Sequence, residues 1–136
     1  MKFQITSVFF FVGLLVSPSL ANSEYFRIVQ ETAKIYRVEV TIDNMKLISD
    51  GQGGRTFHID LKSNRNNFEM VMLVGYIASG EAMKHTGIEP SSIHVSIDVP
   101  LGEGYRLMTM STSADVKRLL SEEVNMAQFS RLVKYL

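Results

Sequence analysis

The sequence predicts an α+β domain with a four-stranded, mainly antiparallel sheet of two hairpins, a long buried helix joining them, and two C-terminal helices. Three observations carry that expectation. Two pairs of segments alternate apolar and polar residues with the period of two that marks half-buried strands, and each pair is split by a glycine-bearing loop. Between the pairs lies a long segment, 66–86, whose apolar residues cover almost the whole circumference of a helix. After the second pair, two short segments repeat their apolar residues at helical spacing. The resulting order is α-β-β-α-β-β-α-α, a layer of helices on a sheet.

Residues 1–21 read as a cleaved secretory signal peptide. Lys2 supplies the cation, Val8 to Val16 the apolar run, and Pro18 the break, while Ser19 and Ala21 are the small residues of a cleavage site. The run is too short to span a bilayer, which takes about 20 residues. Residues 22–136 then form a single mature domain, expected in the periplasm or outside the cell, with a bacterial source favoured by the lack of cysteine.

The mature chain opens with a helix from Asn22 or Ser23 to about Ala33, with Phe26, Val29 and Ala33 on one side. From Lys34 to Asp43 the period changes to two, and Tyr36, Val38, Val40 and Ile42 alternate as one face of a first strand. The second strand, Arg55 to Lys62, turns Phe57, Ile59 and Leu61 inward. Ser49 to Gly54 connects them, with glycines that reach positive φ cheaply. That loop has neither the spacing nor the following Lys-Ser or Lys-Thr of a phosphate-binding loop.

In the long helix, Asn66 and Glu69 have capping-box spacing and Gly87 is placed to close the far end. Gly75, Ser79 and Ala82 make a narrow stripe of small residues for close approach of another backbone. Met70, Leu73, Val74 and Ile77 form the bulky side opposite, a ridge that needs either the C-terminal helices or another protein to cover it. A third strand runs from Ser92 to Val99 with Ile93, Val95, Ile97 and Val99 inward. The loop through Pro100, Gly102 and Gly104 leads to a fourth from Tyr105 to Ser111, whose inward face falls either to Leu107 or to Met108 and Met110. Helices from Thr112 or Ser113 to Glu123 and from Asn125 to Leu136 follow, the second with an Asn125–Gln128 capping box.

Composition excludes several classes of function. With no cysteine there is no disulfide, thiolate metal site, cysteine nucleophile or N-terminal lipid anchor. Lys and Arg number 14 against 14 Asp and Glu, so the chain lacks the basic excess with which nucleic-acid binders neutralise phosphate. The mature chain has no apolar run long enough to cross a membrane. Its serines fall in no nucleophile elbow and no S-x-x-K arrangement.

One set of residues has chemistry to offer. His58 and Asp60 share the outward face of the second strand, and His94 and Asp98 that of the third. If the strands are neighbours, the four could converge as metal ligands or as a base with an orienting acid, although alternating polar residues are also what a solvated sheet face shows. The expectation is therefore a small exported binding protein, with no cofactor and no metal, acting on a protein partner or a second copy of itself. The alternatives are a small hydrolase using the His58, Asp60, His94, Asp98 face and a carrier of an apolar ligand held between long helix and sheet.

Overall fold

A computed structural model describes residues 21–136. The expected signal segment lies outside these residues except for Ala21, which belongs to the first helix and packs against the core. Helix α1 occupies 21–35 and buries Tyr25, Ile28, Val29 and Ala33. It ends where Val38 N–H donates to Ala33 O (2.9 Å) and Arg37 N–H to Lys34 O (2.9 Å), with Arg37 in the left-handed region at φ 62°.

The strand expected over Lys34 to Asp43 does not form. Its first two residues stay helical, Tyr36 and Arg37 turn, and Val38 to Val40 run on without a ladder partner into a 3-10 turn, Ile42–Asn44. Val38 and Val40 are nevertheless buried, so an extended segment laid against the core produces the same alternation as a strand. The hairpin partner of the second strand is β1 (Met45–Ser49). It pairs antiparallel with β2 (Arg55–Lys62) across the expected loop, where Asp50 Oδ1 accepts from Gln52 N–H (2.8 Å) and Gly54 N–H (3.0 Å).

Helix α2 (Phe68–Thr86) starts after Asn67, and the capping box expected of Asn66 and Glu69 is absent. The Asn64 side chain takes over that end, accepting from the N–H groups of Asn66 and Asn67 at 2.9 Å each. Gly87 closes the helix at φ 75°, its N–H bonded to Met83 O. Then come β3 (Ser92–Val99), β4 (Tyr105–Thr112), α3 (Ser113–Leu120) capped by Thr112, and α4 (Met126–Leu132) with the Asn125–Gln128 capping box. The last helix stops short of Leu136: Val133 is extended, and β5 (Lys134–Tyr135) pairs with β4.

The class is α+β, but the sheet has five strands and is mixed, in the order β1-β2-β3-β4-β5. Its central pair, β2 and β3, is parallel because α2 carries the chain back along the sheet before β3 begins. The other three pairings are antiparallel.

The helices gather on one face. The Tyr25 ring of α1 meets Phe57 at 4.9 Å, and in α2 a Cβ at Gly75 would stand 3.0 Å from Val95 and 3.1 Å from Leu61. That approach leaves no gap for an apolar ligand at this point of the α2–sheet contact. The Tyr76 ring packs on Phe129 of α4 at 5.2 Å. No helix among the described residues is long and apolar enough to cross a membrane.

Candidate functional site

The face of the sheet away from the helices is uncovered, and the register arranges it in rows. His58, His94, Met110 and Lys134 make one row across β2 to β5, with Lys46 of β1 completing it. Asp60, Ser96 and Met108 make the next, extended by Leu136, whose N–H donates to Met108 O (2.9 Å). Lys62, Asp98 and Arg106 make the last. Period-two alternation produces this surface once Phe57, Ile59, Leu61 and their β3 counterparts turn to the core.

The structure brings the two histidines together. They are directly opposed across the parallel pair, ring centroids 4.7 Å apart and planes 33° from one another. Both imidazoles are half-buried, and burial is the main cause holding each below its ordinary pKa. At His58 the Asp60 carboxylate opposes the shift and Lys46 adds to it, while at His94 the neighbouring His58 adds to it. Each ring therefore holds a proton less readily than a free imidazole, and protonating both would place two cations in contact.

The carboxylates do not join that pair in an acid–base arrangement. Asp98 takes the Arg106 Nε–H at 3.1 Å, and Asp60 stands 4.0 Å from the same guanidinium, so the two acids are bridged by an arginine one strand away. Among the described residues, no group of three or more His, Asp or Glu side chains is placed to hold a metal ion.

The ridge on α2 divides. Val74 is buried, Leu73 and Ile77 are half-buried against the core, and Met70 alone is open. Ile28 and Ile35 of α1 line an open groove with Ile77, and α3 takes the Gly80 side through Val116 and Leu120. Ile35, Ile42 and Met70 are open elsewhere, and the sheet face adds three uncovered apolar groups: Ile48 is 47% exposed, Met108 44% and Leu136, just past β5, 61%. Two of these were beyond sequence reasoning, because Ile48 fell between the strand expected to end at Asp43 and the loop expected from Ser49, and Leu136 fell in an expected helix. The third had a signal in the unresolved choice between Leu107 and Met108/Met110, which the structure decides by burying Thr109 and Ser111 beside Leu107.

Neither a family model, a curated protein nor a solved structure matches this chain. The rows of the open face therefore carry the functional argument by their own chemistry.

Proposed function

We propose that this chain is a small exported binding protein that engages a protein partner through the open face of its sheet, without catalysis. One observation carries the reading: the helices occupy one face of the sheet, and the other sets Ile48, Met108, Met110 and Leu136 among short polar side chains and the histidine pair. Apolar area removed from water is worth roughly 25 cal/mol per Å2, so a second surface laid over these rows is favoured. Lys46, Lys62 and Lys134 stand at the margins, where charge steers approach without being desolvated.

The support for a non-catalytic role is that Asp60 and Asp98 answer to Arg106 and do not orient either imidazole. The support for export is the cation, apolar run, proline and small residues of 1–21.

The test is site-specific photocrosslinking in the native cells. A photoreactive residue at Met108 should give a discrete protein adduct, while one at Glu122, exposed at the end of α3, should not. Equal labelling from both positions, or none from Met108, overturns the reading. Recovery of a chain beginning at Asn22 from the cell envelope or culture fluid tests export separately.

A further inference from the structure

We infer that the crevice at the C-terminal ends of β2 and β3 is a binding site for a neutral oligosaccharide. The site lies where the parallel pair ends and its two chains part. Here β2 runs on into α2 and β3 into the loop leading to β4. Two adjoining grooves open there, of about 570 Å3 and 410 Å3, and Lys62 and Ser63 line both.

The first groove is rich in carboxamides whose oxygens are already committed. Asn44 Oδ1 accepts from the N–H and hydroxyl of Thr41 (3.2 and 2.7 Å), Asn64 Oδ1 from the N–H groups of Asn66 and Asn67, and Asn67 Oδ1 from Asn64 N–H (2.8 Å). Each amide is thereby held in place, and its NH2 group has no protein partner among the described residues. These are fixed donors. Acceptors stand nearby in Asp60 and Asp98, themselves held by Arg106.

Charge decides against an anionic ligand. The two grooves together carry three cations, Arg37, Lys62 and Arg106, and three carboxylates, Glu39, Asp60 and Asp98. A phosphate site would leave positive charge in excess. A hydroxyl both donates and accepts, so alternating amide donors and carboxylate acceptors suit a chain of hydroxyl groups.

Each groove also presents one tyrosine, Tyr36 at 47% exposure in the first and Tyr105 at 55% in the second. A flat aromatic face accommodates the C–H face of a pyranose ring. One such platform in each groove fits a ligand of several sugar units better than a single sugar.

The full chain is titrated with cellotetraose, maltotetraose and tetra-N-acetylchitotetraose. Tyrosine emission reports binding, since the chain has no tryptophan. At least one of the three should give a saturable change, with backbone amide shifts concentrated at Ser63 and Asn64. Tyr36→Ala and Tyr105→Ala should each weaken it roughly ten-fold, whereas Tyr135→Phe, outside both grooves, should not. Because both tyrosines are about half exposed, unchanged circular dichroism is expected of the alanine variants. No saturable response from any of the three below roughly 10 mM, binding indifferent to both alanine variants, or displacement by inorganic phosphate overturns the inference.

Discussion

His58 and His94 face one another on adjacent parallel strands at a ring separation of 4.7 Å, and burial keeps both imidazoles below their ordinary pKa. Each therefore binds a proton less readily in the fold than in the unfolded chain. Through the pH range below the ordinary imidazole value, the unfolded state holds more protons, and folding stability falls as pH falls. The Asp60 carboxylate limits the effect at His58, and Lys46 and the other imidazole strengthen it. Thermal melts from neutral pH down to about pH 5 should show a declining midpoint that is flattened in His94→Gln and flattened further in His58→Gln/His94→Gln. The carboxylates with lowered pKa, Glu24 and Asp50, act at more acidic pH and should leave the difference between wild type and variant intact. Parallel curves for wild type and double variant would rule out the pair as the source.

Both strands that carry the histidines are legible in the sequence, with the bounds Arg55–Lys62 and Ser92–Val99, because one face of each is uniformly apolar and buried. Their adjacency is less so: two hairpins around a helix are compatible with several strand orders, and only the crossover by α2 makes the pair parallel. The misread segment, 34–43, fails for a different reason. Val38 and Val40 face the core every second residue, so hydrophobic period cannot separate a paired strand from an extended connection. β5 was illegible because Phe129, Leu132, Val133 and Leu136 keep helical spacing to the end, while the pairing with β4 that stops the helix is a tertiary contact.

Arg37 ends α1 in a conformation that suits glycine. At φ 62° a side chain costs about 1–2 kcal/mol relative to glycine, less the extra entropy glycine loses on folding. Arg37→Gly should therefore raise stability by up to about 1 kcal/mol in denaturant titration. The same substitution removes one cation from the lining of the crevice, and because the ligand inferred there is neutral, a gain in stability with oligosaccharide binding retained is the expected combination.

At Gly80, α2 packs directly against α3. A Cβ there would stand 2.1 Å from Leu120 Cδ1 and 2.9 Å from Val116 Cγ1. Alanine improves helix propensity by about 1 kcal/mol, but overpacking a filled contact costs about 1–3 kcal/mol. Gly80→Ala should be net destabilising, and Leu120→Ala in the same chain should recover part of the loss. Each variant's unfolding free energy closes a double-mutant cycle, and strict additivity would show that the contact does not limit packing.

Tyr76 and Thr109 share a buried hydrogen bond of 2.8 Å, and the Thr109 hydroxyl also donates to Val95 O at 2.8 Å. The hydroxyl thus joins α2 to the sheet through one atom. Thr109→Val retains the shape and strands the buried phenol, while Val95 O keeps its place in the β3 ladder, at a cost of roughly 1–3 kcal/mol, whereas Tyr76→Phe removes one partner for about 0.5–1.5 kcal/mol. Unfolding free energies should rank Thr109→Val as the more damaging change. The opposite rank would mean that the phenol finds another partner when the threonine is lost.

The C-terminal strand is short, yet it decides which edge of the sheet is open. Lys134 and Tyr135 pair with Met110 and Thr109, Leu136 N–H bonds to Met108 O, and the Tyr135 hydroxyl lies 3.9 Å from Met72 Sδ. Ending the chain after Val133 keeps that buried residue beside Phe129 and removes only the pairing and the three exposed side chains that follow. β4 then becomes an eight-residue edge carrying Met108 and Met110 beside unpaired backbone groups. Such an edge templates pairing with another chain. The truncated protein should sediment as concentration-dependent oligomers while the full chain does not change its state over the same range. Adding Met108→Lys to the truncation should suppress the association, because a charge on an edge strand opposes strand addition. A truncated chain that stays in the same state as the full one would show that β5 contributes stability alone and not edge protection.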